Sequence, residues 1–228
     1  MAELISQSVP VNVDHGSTNQ IEGDFLRSNT YSVLSALLSQ SPSGDLLDYL
    51  HHIDTPSVSE NGQNGQSADP EVVEQVGQIG QAWLAVKEAA HSSSLEDLDD
   101  EYHSLFIGIG RGEIVPYGSW HITGFLMEKP LSDLRDDLRS LGIESDTNQK
   151  DPEDHIAALC ETMAILIQSE DVSEAMERQF FIRHIHPWAS KFFNDLAAAK
   201  SANFYKSVSL LGQSFVDLES DYLNIQTH

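Results

Sequence analysis

Apolar residues recur every three or four positions along most of this chain, a spacing typical of amphipathic α-helices. The first such face runs from Phe25 through Tyr31 to Leu38, and the last runs from Phe204 to Tyr222. Because no period-two alternation extends over a useful length, the pattern predicts an all-α fold, a compact bundle of about ten to twelve helices. The clearest helices are predicted at 24–40, 45–53, 70–90, 95–106, 119–125, 130–141, 152–168, 173–185, 188–196 and 204–222.

Local signals mark several helix ends. Pro70 and Pro152 each follow an aspartate, which is an acceptor side chain suited to the N-cap, and Pro130 begins a third helix. Ser94 and Asp97 resemble a capping box with Asp in place of Glu, and Gly142 stands where a left-handed C-cap is expected. Polar stretches at 1–22 and 143–150 lack helical periodicity. We therefore expect a disordered N-terminal arm at 1–22 and one domain at 23–228, in which residues 143–150 form a hinge between an N-terminal half, 23–142, and a C-terminal half, 151–228.

The net charge of the chain disfavours some classes of binding partner. Asp and Glu number 36 against 12 Lys and Arg, a formal net charge of -24. Nucleic acid and anionic lipid would be repelled by such a surface, so a basic partner is favoured. Cys160 is the single cysteine, which excludes an intrachain disulfide. Without a secretory signal or an apolar run of about 20 residues, the sequence predicts a cytoplasmic protein with no stable membrane insertion.

Motifs for catalysis are weak. The glycines at 108, 110 and 112 follow a predicted helix rather than a strand, which argues against a phosphate-binding loop and favours a turn. His155, Glu153 and Glu161 could serve an all-α metal-dependent hydrolase, but their spacing does not place them on one helical face. There is also no Gly-x-Ser-x-Gly nucleophile motif. We therefore predict no enzymatic activity and no metal site.

Five short motifs occur in a specific order. They are Glu101-Tyr102-x-x-Leu105-Phe106-x-Gly108, Pro116-Tyr117-Gly118-Ser119-Trp120, Pro130-Leu131-x-x-Leu134-Arg135, Pro152-Glu153-Asp154-His155-Ile156, and His186-Pro187-Trp188 followed by Phe192-Phe193. With these motifs the sequence resembles the TorD/DmsD family of cytoplasmic chaperones for molybdenum-containing reductases. The resemblance covers the chain from about residue 25 to 222.

The resemblance implies an all-helical protein that catalyses no reaction. Such a chaperone binds the twin-arginine leader of an apo-enzyme until the molybdenum cofactor is inserted, and thereby delays export. Carried over to this chain, the leader-binding residues are Leu105, Phe106, Pro116, Tyr117, Trp120, Pro152, Asp154 and His155. Asp151 stands where the family has glutamate.

Further expectations accompany the resemblance. Some relatives bind guanine nucleotide, but this sequence has no phosphate loop, so we expect no cofactor. Halves can exchange between subunits in this family, which allows either a monomer or a domain-swapped dimer. The related chaperone of membrane-bound nitrate reductase, whose client need not be exported, is the nearest alternative.

The chemistry of a twin-arginine leader sets physical requirements for its receptor. Two guanidiniums followed by an apolar segment need carboxylates beside an apolar groove. The candidate arginine contacts are Glu101, Glu113, Asp151 and Glu153, together with Asp154. Exposed ion pairs contribute only about 0.2–1 kcal/mol each, whereas burying one Leu or Phe contributes about 1.5–3 kcal/mol. We therefore expect the groove to determine affinity and the acidic surface to determine encounter rate.

Overall fold

The computed structural model describes residues 15–53, 70–108, 112–144 and 151–225. Within these ranges the elements, in chain order, are α1 His15–Ser39, α2 Gly44–His52, α3 Pro70–His91, α4 Leu95–Tyr102, a π-helix His103–Ile107, α5 Gly118–Thr123, α6 Lys129–Ser140, α7 Ile156–Gln168, α8 Glu174–His184, α9 Ala189–Ala198 and α10 Phe204–Tyr222. The described part of the chain contains no strand beyond one isolated antiparallel bridge between Tyr117 and His155. The all-α prediction is confirmed. None of the described helices combines the length and the hydrophobicity that a membrane span requires.

Several predicted helix ends are found in the structure. Ser94 and Asp97 form a reciprocal capping box at the start of α4, in which each side chain bonds to the other residue's backbone N–H. Pro130 lies in the first turn of α6, and Gly142 after its end has a left-handed φ of 72°. Pro70 is the first residue of α3. Its predicted cap, Asp69, lies outside the described residues.

Three boundaries differ from the sequence-based expectation. Helix α1 begins at His15 rather than Asp24, because a nucleated helix can extend through polar residues at one backbone hydrogen bond per residue. The helix predicted over 95–106 changes to π-helical geometry after Tyr102. Helix α7 begins at Ile156 rather than Pro152, since the preceding backbone pairs with another segment. Residues 1–14 and 145–150, which hold most of the predicted arm and hinge, lie outside the described residues, so that division stays a prediction.

Helices from the two predicted halves pack against each other. Helix α1 lies along α7, and α10 contacts both α3 and α9. The side chains at these contacts form one apolar cluster, whose largest fully buried members are Trp188, Tyr205, Phe181, Phe192, Phe193, Phe204 and Phe215. This core fixes the relative positions of the segments that carry the predicted site.

A buried ion-pair network links α1 to α8 and α10. Arg27 is only 6% exposed, and its Nε donates to Glu219 Oε1 at 2.6 Å. One of its terminal nitrogens donates to Glu177 Oε2 at 3.1 Å. The Tyr31 hydroxyl donates to Glu219 Oε2, also at 3.1 Å. Burial raises the pKa of Glu177, although the Arg27 charge opposes that rise.

Candidate functional site

Two of the motif segments are joined by a short backbone bridge. The Gly118 N–H donates to the Asp154 carbonyl at 2.9 Å, and the Ile156 N–H donates to the Pro116 carbonyl at 2.8 Å. The segment before α5 therefore lies directly beside the segment before α7. The structure thus brings together six predicted site residues at this bridge: Pro116, Tyr117, Asp151, Pro152, Asp154 and His155.

The loop after α4 turns back on the π-helix that precedes it. The Ile114 N–H donates to the Leu105 carbonyl at 2.8 Å. A Cβ at position 112 would lie 2.4 Å from that same carbonyl oxygen, so only glycine allows the two backbone segments to approach this closely. Gly112 therefore acts as the predicted turn-forming residue, whereas residues 109–111 lie outside the described part of the chain.

The predicted apolar contact residues differ in how much surface they present. Leu105 is 0% exposed and belongs to the core, and Pro116 is also buried. Four others are partly buried: Phe106, Tyr117, Trp120 and Pro152. The Phe106 ring lies 5.0 Å from that of Tyr102 and 5.4 Å from that of Tyr205. Leu105 is therefore part of the packing beneath the surface and has no exposed area with which to contact a ligand.

Two of the five candidate arginine contacts accept backbone N–H groups at the start of α10 and in the turn before it. The Glu101 carboxylate accepts the backbone N–H groups of Asn203, Phe204 and Tyr205 at 2.7–3.0 Å, at the start of α10. The Glu113 carboxylate accepts the N–H of Lys200 at 2.8 Å. A hydrogen bond from the Ser201 hydroxyl lowers the pKa of Glu113. Both carboxylates hold the chain that leads into α10, away from the backbone bridge.

Two further candidate contacts, Asp151 and Glu153, lie at the bridge and also have partners. The Tyr117 hydroxyl donates to Asp151 Oδ1 at 2.8 Å. Burial, together with this carboxylate, raises the pKa of Tyr117. Glu153 forms an ion pair with Arg135 of α6 at 2.8 Å. A basic ligand would therefore have to share these carboxylates with the chain itself.

Asp154 differs from the other candidate arginine contacts because it is buried and only one of its two carboxylate oxygens has a hydrogen-bond partner within the described residues. Its side chain is 3% exposed, and its Oδ2 accepts the Ser119 N–H at 2.7 Å. Its Oδ1, like the Ser119 hydroxyl oxygen, has no hydrogen-bond partner within the described residues. A buried carboxylate oxygen without a donor is unfavourable by itself, and a hydrogen-bond donor from a ligand would satisfy it.

Asp154 lines a cleft of about 270 Å³ between α5, α6 and the α8–α9 turn. The walls of this cleft are mostly apolar and include Ile122, Pro130, Leu134, Leu159, Pro187 and Trp188. Its polar part also contains Asp133, Arg183 and His184. We call this space the Asp154 cleft; an apolar enclosure with one carboxylate oxygen available suits a cationic side chain with an aliphatic stem.

Most of these wall residues were not predicted as site residues. Pro187 and Trp188 were part of the fifth motif, which supported the family resemblance but was assigned no role. Pro130 and Leu134 were part of the third motif, which likewise was assigned no role, and Leu159 occupies an apolar helix position that nothing in the sequence distinguishes from a core position. His184 donates toward Asp137 at 2.7 Å, and its pKa is lowered by burial despite that carboxylate.

His155 is a neutral helix cap in this structure. Its Nδ1 accepts the Ala157 N–H at 3.1 Å, at the first turn of α7. The ring is 7% exposed, and burial lowers its pKa although Asp151 and Asp154 oppose that shift. Protonation would place a hydrogen on the nitrogen that accepts this bond, so the cap requires the neutral imidazole.

Because His155 caps α7 in its neutral form, we expect the stability of the protein to depend on pH. Replacing His155 with asparagine should weaken that pH dependence. Because its folded pKa is lowered, the unfolded state binds a proton first as the pH falls below roughly 6.5, and the stabilisation by the neutral ring is then lost. Asparagine retains a capping acceptor but does not titrate. The loss of unfolding free energy between pH 7.5 and 5.5, measured by urea denaturation, should therefore be smaller in His155→Asn than in the wild type.

A second substitution separates the contribution of the cap hydrogen bond to stability from the effect of protonating the ring. His155→Ala should lower the unfolding free energy by about 0.5–2 kcal/mol at pH 7.5, where the ring is neutral, because the N-cap acceptor is lost. His121 and His184 also have pKa values lowered by burial, but they are common to all three proteins and cancel in the comparison. Equal pH dependence in the wild type and His155→Asn would contradict the assignment.

The residues proposed for a metal-dependent hydrolase have other partners. Glu153 pairs with Arg135, and the Nδ1 of His155 accepts the Ala157 N–H. No group of three or more His, Cys, Asp or Glu side chains that could hold a metal ion occurs in the four described segments.

Comparison with known proteins places the chain in a family. Residues 67–194 match the family model described as nitrate reductase delta subunit, which is more than half of the chain. The chaperone protein TorD of Vibrio atlanticus is 28% identical over 138 residues, covering 56% of this chain and 64% of that protein. A protein of Haemophilus influenzae described as probable Tat proofreading chaperone DmsD is 28% identical over 118 residues, covering 51% of this chain and 57% of that protein. The chain belongs to the TorD/DmsD family, as the motifs indicated.

A solved structure supports the fold. A redox enzyme maturation protein from Archaeoglobus fulgidus superimposes with a TM-score of 0.53 over 84% of this chain and 94% of that one, at 16% sequence identity. At this identity the likeness concerns the fold alone. The chain spans slightly less than two thirds of the length of the curated relatives that it matches.

Proposed function

We propose that this protein is a cytoplasmic chaperone that binds the twin-arginine leader and the apo-form of a molybdenum-containing reductase. On this proposal it aids cofactor insertion and delays export until the enzyme is mature, without catalysing a reaction or holding a cofactor of its own. Its membership in a family of such chaperones supports the class of function. The observation that carries the leader-binding part is the Oδ1 of the buried Asp154, which lies in a mostly apolar cleft and accepts no hydrogen bond from the part of the chain that the structure describes.

A leader arginine could supply the hydrogen-bond donor that Asp154 Oδ1 lacks within the described residues, since the guanidinium of Arg183 in the cleft pairs with Asp137. The leader guanidinium is planar and always charged, and it can donate to Asp154 Oδ1 while its methylene groups contact the walls. A lysine could supply one donor, but its ammonium is more strongly hydrated and costs more to bury. The net charge of -24 would increase the encounter rate with a basic leader.

The partly exposed predicted residues remain proposed leader contacts. Phe106, Tyr117, Trp120 and Pro152 each present part of their surface, and Tyr117 neighbours His155 across the backbone bridge with ring centroids 5.1 Å apart. Leu105 and Pro116 would act indirectly, by holding these residues in place.

Calorimetric titration with a synthetic twin-arginine leader tests this proposal. Asp154→Asn is nearly isosteric and retains an oxygen for the Ser119 N–H, but it removes the charge that a guanidinium would meet. Losing a hydrogen bond to a charged group costs about 1.5–3 kcal/mol, so we expect binding to weaken by roughly 10- to 150-fold. The matched control is Asp217→Asn on the exposed surface of α10, which changes net charge equally and should bind as the wild type does.

Two outcomes would contradict the proposal. The first is that no leader encoded beside the gene of this protein binds to the wild type. The second is that Asp154→Asn and Asp217→Asn bind the leader equally, since Asp154 would then not contact the arginine.

An assembly chaperone for a non-exported nitrate reductase is the second candidate. The description of the matching family model, nitrate reductase delta subunit, favours it. Such a client needs no arginine pair. Titrating two versions of the client's N-terminal peptide, one with the arginines and one with glutamines, separates the candidates, because only leader recognition predicts that the glutamine peptide binds more weakly.

A further inference from the structure

Four large apolar side chains are exposed together on the turn between α5 and α6. Their exposed fractions are 46% for Ile122, 67% for Phe125, 51% for Leu126 and 71% for Met127. Contiguous exposed apolar side chains of this size are unfavourable in water and typically mark an interaction surface. We refer to residues 122–127 as the apolar turn.

The conformation of the apolar turn is defined by its own backbone. Gly124 has a φ of 83° and ends α5, and Met127 has a φ of 59°. A residue with a side chain rarely adopts such a left-handed φ, which costs on the order of 1–2 kcal/mol. The Thr123 hydroxyl accepts the Phe125 N–H at 3.2 Å and donates to the Ser119 carbonyl at 2.8 Å. The turn is thus held in a shape that directs its apolar side chains to solvent.

This surface is continuous with the Asp154 cleft. Ile122 belongs to the apolar turn and also lines the cleft, and Pro130, just beyond the turn, lines it as well. A ligand whose cation reaches Asp154 would therefore meet Phe125, Leu126 and Met127 as it leaves the cleft.

The negative charge of this chain disfavours some of the partners that could cover the apolar turn. A second copy of this chain would bring another formal charge of -24, and an anionic lipid surface would also be repelled. Glu128 and Lys129 are both exposed directly after the turn, and the Lys129 ammonium is paired with Asp133. An apolar segment preceded by positive charge fits both the side chains of the turn and the acidic surroundings.

We propose that the apolar turn binds the apolar segment of the leader that follows the arginine pair, an assignment that rests on the function proposed above. In this arrangement an arginine enters the Asp154 cleft while the next apolar residues cover Phe125, Leu126 and Met127. The turn would then supply apolar contact area, and the cleft would fix the register of the leader.

Two variants and two peptides test this assignment in the full-length chain. The test variant combines Phe125→Ser with Met127→Asn, because asparagine tolerates a left-handed φ. The control variant combines Ile165→Ser with Leu210→Ser, which are each 49% exposed, on α7 and α10, and do not line the cleft. The peptides are a leader with its apolar segment and the same leader truncated after the arginine pair.

We expect the test variant to bind the complete leader about 10- to 100-fold more weakly than the wild type, because two apolar side chains no longer contribute buried area. It should bind the truncated leader as the wild type does, and the control variant should bind both peptides normally. Equal binding of the complete leader by the wild type and the test variant would overturn the assignment, as would an equal loss in the control.

The failure of the assignment and the failure of the proposed function are distinguishable. If the wild type binds the leader through Asp154 but the test variant loses nothing, only the assignment of the turn fails. If the wild type binds no leader, both fail. If the test variant changes only self-association, measured by sedimentation, the turn covers a second copy of the chain and the assignment is wrong.

Discussion

Replacing Glu219 with alanine is expected to lower the free energy of unfolding by about 3–5 kcal/mol, since one partner of a buried ion pair is removed. Glu219 is 0% exposed and accepts hydrogen bonds from Arg27 and from the Tyr31 hydroxyl. Without it, the buried Arg27 guanidinium retains its ion pairs with Glu177 and with the more exposed Asp24, each at 3.1 Å. The carboxylate of Glu177 is a weaker compensation, because burial raises its pKa and disfavours its charged form.

Urea denaturation monitored by tryptophan fluorescence measures this loss. Asp217→Ala is the control, because it removes a carboxylate from the exposed face of the same helix and should shift the unfolding free energy by no more than about 0.5 kcal/mol. The triple variant Arg27→Met, Glu177→Gln and Glu219→Leu should be more stable than Glu219→Ala, because the buried charges of Arg27 and of both its glutamate partners are removed together. If Glu219→Ala and Asp217→Ala have the same unfolding midpoint, the network does not stabilise the fold.

The helical fold could be predicted largely from local pattern, whereas the network could not. Apolar spacing located the helices, and side chains such as Ser94 and Gly142 marked their ends through interactions within a few residues. Arg27 lies one turn before Tyr31 on the buried face of α1, and the sequence analysis assigned it no role. Its acceptor Glu219 is 192 residues away along the chain, and no local rule connects the two.

The motifs selected several residues that lie together in the structure, but the contacts that these residues make could not be predicted from the sequence. The family motifs named Tyr117, Asp154 and His155, and the structure brings these three together at the backbone bridge. Glu101 and Glu113 were selected only for their charge. Each instead accepts backbone N–H groups from the start of α10 or the turn before it, and only the tertiary structure reveals these long-range partners.

The burial of Asp154 changes the expected balance between charge and apolar area. The expectation from the sequence was that the leader arginines form exposed ion pairs, which contribute little to the binding free energy. Asp154 is 3% exposed, so a guanidinium at its Oδ1 would form a buried, charge-assisted contact to which that small magnitude does not apply. We therefore expect Asp154 to contribute to leader affinity on the scale of a buried apolar side chain, and the apolar turn to add contact area beside it.

Trp188→Ala is expected to lower the free energy of unfolding by about 3–5 kcal/mol, because it removes the largest side chain between the cleft and the core. Trp188 is 2% exposed, and its indole Nε1 donates to the His184 carbonyl at 2.7 Å. Its ring stacks on that of His121 with centroids 5.1 Å apart. A Cβ at position 118 would lie only 3.0 Å from the indole, so the first turn of α5 packs directly on this ring.

Two measurements separate the contribution of Trp188 to folding from its contribution to the site. Trp188→Phe keeps an aromatic ring but leaves the buried His184 carbonyl without its donor, so its loss in urea denaturation should be about 1–3 kcal/mol and smaller than that of Trp188→Ala. Under conditions in which both variants are folded, leader titration should show weaker binding for Trp188→Ala than for Trp188→Phe, since the alanine removes a wall of the Asp154 cleft. Unfolding losses below about 1 kcal/mol for Trp188→Ala would contradict the packing described for this residue, and equal leader affinity in the two variants would show that the wall does not contact the leader.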